Sequence, residues 1–172
     1  AVLITKAKIA PIDPDKIERC ITEKTVAIMP VHLMGKPAEM KKIMALARKH
    51  HLKVVEDAAE AYGGVYHGKP LGTMGDMGAF STYIAHIVTT IEGGVVITNN
   101  DNYAEILRSL RSHGRACKCE SCLLNVTGGY FKKRFAQKDL FDILFISEII
   151  VYSSKMNEVE AAVGIGNLDN FQ

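Results

Sequence analysis

The sequence predicts an α/β protein, a three-layer sandwich built around a mostly parallel sheet. The main observation is a strand–helix–strand unit over residues 25–57, about thirty residues long, which is the length a right-handed crossover between parallel strands needs. The second is size: 172 residues with 48% hydrophobic content suffice for one domain with a buried core. The third is that further short apolar strands and amphipathic helices follow in the same alternating order.

Taken in order, Asp13-Pro14 starts a short helix over residues 13–22, with proline in the first turn. Residues 25–31 (TVAIMPV) read as a buried strand. Pro37 opens the next helix, in which Met40, Ile43, Met44 and Ala47 repeat at helical spacing and Arg48, Lys49 and His50 close the last turn. Residues 52–56 form the second strand, and Asp57 leaves it. Six glycines between Gly63 and Gly78 match no phosphate-binding spacing and predict turns around a short hairpin. Gly78, Ala79, Phe80 and Ser81 predict a short strand followed by a polar loop at its carboxyl end. Residues 95–98 predict another strand. Asn102 and Glu105 predict a capping pair for a helix that runs to Arg111 and stops at Gly114, with Ile106, Leu107 and Leu110 as its buried stripe. Residues 114–138 have no sustained period and read as a long loop. Asn157 and Glu160 predict the cap of a final helix, whose Gly164 and Gly166 predict close packing against a neighbour.

Composition removes several classes of partner. With 21 basic and 19 acidic side chains, the net charge of +2 offers no electrostatic footprint for nucleic acid. No apolar run reaches the roughly 18 residues of a membrane span, and the opening AVLITKAKIAPID is no secretory leader. A soluble, cytoplasmic protein without nucleic-acid or membrane partners is expected. Three of the four cysteines, Cys117, Cys119 and Cys122, fall within six residues. In a reducing compartment they read as free thiols or as metal ligands, with His113 available as a fourth zinc ligand, rather than as disulfide partners.

Loops at the carboxyl ends of parallel strands carry the chemistry of open α/β sheets. Asp57 stands at such an end, where a carboxylate can pair with a buried cation or cap the following turn. Ser81 precedes a loop whose amides and hydroxyl can share a phosphate, or it is simply solvated. His86, five residues on, is either a satisfied loop histidine or a group that moves protons near neutral pH.

These residues carry a resemblance. EDAAEA, GDMGAFS, EGGVVIT and LRSLRSHG stand in the order of the DegT/StrS sugar aminotransferases, which are fold-type I pyridoxal phosphate enzymes. The resemblance implies that Asp57 pairs with the cofactor's pyridinium nitrogen and that Ser81 binds its phosphate. It also puts Glu60 beside the ring hydroxyl and Ser153 where an asparagine usually reaches the phosphate of a neighbouring subunit. His86 occupies the position of the cofactor lysine. Lacking a primary amine, it cannot hold pyridoxal phosphate covalently. Histidine for lysine, Glu60, the RSHGRACKC loop and the segment Lys133, Arg134 and Phe135 resemble the branch that removes the 3-hydroxyl of 4-keto sugar nucleotides, using pyridoxamine phosphate and a histidine base. Iron–sulfur members of that branch use four cysteines; here Cys117 and Cys119 match, but Ala59 and Thr127 occupy the other two positions.

The resemblance further implies a sugar-nucleotide substrate, pyridoxal or pyridoxamine 5′-phosphate as cofactor, and a homodimer. It casts residues 1–172 as part of a cofactor-binding large domain, without the earlier phosphate-turn segment and the later small domain. The alternatives are an ordinary sugar-nucleotide aminotransferase, and a non-catalytic truncated domain or thiol-rich metal-binding module.

Overall fold

A computed structural model of the chain describes residues 2–3, 12–114 and 154–171. Two compact units are formed, one by residues 1–99 with 156–172 and one by residues 100–155.

In the first unit, β1 (Val2–Leu3) is followed by α1 (Pro14–Ile17), which starts where Asp13 accepts the Asp15 N–H at 3.1 Å and ends in a 3₁₀ turn, Glu18–Cys20. The helix is thus shorter than the expected 13–22. It buries one residue, Ile17. The next strand, β2 (Ala27–Ile28), is likewise only the core of the expected 25–31. Pro30 has no N–H for the ladder, which resumes only as an isolated bridge between Val31 and Asp57. A 3₁₀ turn, Leu33–Gly35, precedes α2 (Met40–Lys49). The helix starts three residues later than Pro37, and ahead of it the Ala38 N–H donates to the ring of His32 at 3.1 Å. Its buried side, Met40, Ile43 and Ala47, packs with Ile17, Ile28 and Val54 in the main core.

Next come β3 (Lys53–Asp57), the hairpin of β4 (Val65–Tyr66) and β5 (Lys69–Pro70), β6 (Met77–Ser81) and β7 (Gly94–Ile97). The main sheet has the order β1-β2-β3-β6-β7; the first four strands are parallel, and β7 runs antiparallel to β6. This is the mostly parallel α/β sheet that the sequence predicts, with the expected crossover between β2 and β3. Gly78 on β6 is obligatory, since a Cβ there would lie 1.9 Å from the Gly72 carbonyl oxygen.

In the second unit, α3 (Asp101–Arg111) is capped by Asn100, whose side chain accepts the Tyr103 N–H at 3.1 Å, rather than by Asn102. It ends as expected, with His113 and Gly114 in left-handed conformations. Beyond Gly114, the irregular segment lies outside the described residues.

Returning to the first unit, α4 (Glu158–Asp169) shows the expected capping box: Asn157 accepts the Glu160 N–H, Glu160 accepts the Asn157 N–H, both at 2.9 Å. Gly164 is closely packed, with a Cβ there 2.5 Å from Thr90 Cγ2, but nothing among the described residues lies within 4 Å of one on Gly166. Close packing is thus seen at Gly164 and, among the described residues, not at Gly166. No described helix is long and apolar enough to cross a membrane.

Candidate active site

Three turns meet at the carboxyl ends of β2, β3 and β6. Because β3 alternates, Val54 and Glu56 share one face of the sheet, and Val55 and Asp57 the other. Asp57 is held by its backbone on both sides: its N–H donates to Pro30 O and its carbonyl accepts the His32 N–H, each at 2.9 Å. Its half-buried side chain accepts the Ala59 N–H through Oδ1 at 3.1 Å. What it caps is a turn, since no helix follows before β4. Oδ2 has no hydrogen bond among the described residues and remains available to a cation.

Beneath Asp57 lies a buried carboxylate–imidazole pair that sequence reasoning missed. Glu56 and His32 are both 0% exposed, and Glu56 Oε2 lies 3.0 Å from His32 Nε2. Ala38 N–H points at His32 Nδ1, so the ring proton sits on Nε2 and is donated to Glu56. The carboxylate also accepts the N–H groups of Gly72 at 2.9 Å and of Met74 and Gly75 at 2.5 Å. Burial alone would raise the pKa of Glu56. The hydrogen bonds from His32, Gly75, Gly72 and Met74 outweigh it and hold the group below the ordinary carboxylate range.

Glu60 lies exposed on the turn after β3, and its Oε2 accepts the Met34 N–H at 2.7 Å. Ser81 ends β6, half-buried, with Oγ accepting the Tyr83 N–H at 3.2 Å. Since Ala79 pairs with Asp57 in the parallel register, Asp57 and Ser81 stand at neighbouring strand ends. His86 is on the loop that follows, half-buried, its N–H on Tyr83 O at 2.9 Å and its ring edge-on to Tyr83 at 6.1 Å. No hydrogen bond joins it to Asp57, Glu60 or Ser81.

The His86 loop is closed by three threonines that sequence reasoning also missed. The buried hydroxyls of Thr82 and Thr90 lie 2.7 Å apart, Thr90 donates to Glu92 O at 2.7 Å, and Thr89 donates to Thr82 O at 3.2 Å. Gly93, at φ +146°, fits against both buried threonines, where a Cβ would approach within 2.8 Å of each hydroxyl. The doubled threonine of VTTIEGG was the available signal.

Ser153, Cys117, Cys119 and Cys122 lie outside the described residues, and the described ones contain no cluster able to hold a metal. A cavity of about 450 Å³ opens between α2 and the hairpin, floored by Met40, Met44 and Met74, but it is lined by none of Asp57, Glu60, Ser81 and His86. The donor set nevertheless suits pyridoxal or pyridoxamine phosphate: Asp57 Oδ2 for a pyridinium N–H, the Ser81 hydroxyl for a phosphate oxygen, and no amine at residue 86 to bind the aldehyde.

Residues 5–172 match the DegT/DnrJ/EryC1/StrS aminotransferase family. The chain is 48% identical to the GDP-perosamine synthase of Caulobacter vibrioides over 103 residues, 60% of this chain and 28% of that protein. It is 36% identical over 160 residues, 90% of this chain and 34% of the other, to the dTDP-4-dehydro-2,6-dideoxy-D-glucose 3-dehydratase of Saccharopolyspora spinosa. Among solved structures it resembles the E. coli GDP-4-keto-6-deoxy-D-mannose-3-dehydratase with bound hydrated PLP, with a TM-score of 0.73, 26% identity, and coverage of 95% of this chain and 40% of that one. The chain thus spans about a third of the length of the curated relatives it matches. With the family matched over nearly its whole length and the fold shared with a solved PLP-bound relative, the chain belongs to the DegT/DnrJ/EryC1/StrS aminotransferase family.

Proposed function

We propose that this chain forms part of the cofactor face of a cytoplasmic, homodimeric enzyme that acts on 4-keto sugar nucleotides with pyridoxamine or pyridoxal 5′-phosphate and removes the sugar's 3-hydroxyl. The observation that carries the reading is His86, on the loop after β6 and five residues beyond Ser81, where the family resemblance expects an amine. The identity to a sugar 3-dehydratase over 90% of the chain supports it.

When bound, the cofactor supplies an electron sink and the amine that captures the 4-keto carbon. Asp57 Oδ2 accepts the ring N–H and keeps that nitrogen protonated, which is what makes the sink effective. Ser81 donates its hydroxyl to the phosphate, and Glu60 and Ser153 complete the binding set at the ring hydroxyl and the phosphate. His86 removes a proton from the carbon that bears the cofactor's amine. A departing hydroxide needs a proton, and the imidazolium formed by that first transfer is a source of one.

An ordinary sugar-nucleotide aminotransferase is the second reading, favoured by the higher identity to GDP-perosamine synthase over a shorter span. The test is His86→Asn in the intact protein. Turnover of a 4-keto sugar nucleotide is expected to fall about 100-fold or more, as for loss of a general base, while cofactor absorbance persists. Wild-type turnover in that variant would make His86 a bystander and overturn the dehydratase reading.

A further inference from the structure

The turn after β2 is held more firmly than a surface turn requires. Val31 bridges to Asp57, the His32 N–H reaches Asp57 O at 2.9 Å, the His32 ring is locked between Glu56 and the Ala38 N–H, and the Met34 N–H reaches Glu60 Oε2 at 2.7 Å. Most of these anchors run to residues 56–60, the stretch that carries Asp57 and Glu60. At the apex, Met34 has φ +52° and ψ +38°, and Gly35 follows at φ +75°. A left-handed backbone is strained for an L-residue, and a glycine would largely avoid that strain. Instead the position holds a methionine, 78% exposed. Strain kept in place by surrounding bonds at the rim of a site is a pattern from which function can be inferred. A thioether chain also makes a soft apolar surface that adapts to a ligand.

We propose that Met34 is a specificity-determining residue whose side chain forms an apolar wall for the sugar ring of the substrate; this rests on the sugar-nucleotide reading above. Ligands of open parallel sheets lie beyond the carboxyl ends of the strands. Met34 follows β2 there, as Asp57 ends β3 with Glu60 just beyond it and Ser81 ends β6. A hexose presents apolar C–H groups, and a 6-deoxyhexose adds a methyl, so an apolar contact discriminates sugars by ring substitution. The nucleotide and the cofactor are recognised by charge and hydrogen bonds instead. Met34 is therefore expected to matter to the sugar alone.

The test is calorimetric titration of the intact protein, loaded with pyridoxamine phosphate, with GDP-4-keto-6-deoxymannose, dTDP-4-dehydro-2,6-dideoxy-D-glucose and GDP alone. Met34→Ala is expected to weaken whichever sugar nucleotide the wild type binds by about tenfold or more, with Met34→Leu within about threefold, since a few apolar carbons are worth 10–200-fold. Affinities for GDP and for the cofactor should not change. Met34→Gly eases the backbone while removing the side chain, so the same loss in that variant separates contact from misfolding. Wild-type sugar-nucleotide affinity in both Met34→Ala and Met34→Gly would overturn the inference and leave the proposed function standing, as would an equal loss of cofactor affinity. Failure of the wild type to bind either sugar nucleotide would overturn both.

Discussion

Glu56 is an anion with no water around it, and its four hydrogen-bond donors join β3, the turn before β6 and the segment after β2. Removing the carboxylate strands the His32 ring N–H and three backbone amides, so Glu56→Ala is expected to cost about 3 kcal/mol or more in urea unfolding, at about 1–3 kcal/mol for each buried donor left unpaired. The pH dependence has a definite sign. Glu56 binds its proton less readily folded than unfolded, so its stabilising contribution is complete above an unfolded value of about 4.3 and is lost as pH falls through the lower folded one. Wild-type stability should therefore drop on acidification below about pH 4, and Glu56→Gln should flatten that part of the profile. An identical acid slope in the variant would show that other carboxylates set it. That Asp57 and Ser81 end strands and that His86 lies on the loop after β6 was legible in the sequence from the apolar runs before them. Glu56 was not, because a carboxylate ending an apolar run reads as the solvated end of a strand, and only tertiary donors make it a core residue. Nor does a resemblance reveal that Glu60 already holds the Met34 amide.

At the scale of elements, local signals were readable and tertiary constraints were not. Helix α2 declared itself by the spacing of Met40, Ile43 and Ala47, and α4 by a capping box that needs only its own first turn. Of the boundaries that moved, that of β2 did so because Pro30 has no N–H for the ladder, while the segment ahead of α2 is tied by the Ala38 N–H to the His32 ring, a contact that no local spacing shows. The two glycines of α4 make a paired test. Thr90 is held by hydrogen bonds to Thr82 and Glu92 and cannot swing away from a new Cβ at residue 164, so Gly164→Ala is expected to destabilise by about 1–3 kcal/mol. Gly166→Ala meets no atom of the described residues and exchanges the poorest ordinary helix former for the best, a gain of about 0.5–1 kcal/mol. Thermal unfolding should move in opposite directions for the two; a shift of the same sign would refute the packing described for α4.

At the scale of the molecule, apolar side chains remain exposed on β7 (Val95 and Val96) and on α4 (Val159, Ile165 and Leu168), the last three at 70%, 63% and 50%. Water-facing valine, isoleucine and leucine in such number favour cover by further protein. Light scattering of the intact protein is expected to give the mass of a homodimer, and a monomer at tens of micromolar would contradict that. The proposed chemistry puts His86 in the lysine's place, so that the cofactor would be held without a covalent bond and the imidazole would move a proton. Borohydride reduction of the intact protein in pyridoxal phosphate, followed by mass measurement of the peptide containing residue 86, tests it most directly. The wild-type peptide is expected to keep its unmodified mass, and the His86→Lys peptide to gain one reduced cofactor. A cofactor adduct elsewhere in the wild-type protein, formed on a lysine in stoichiometric yield, would contradict the claim.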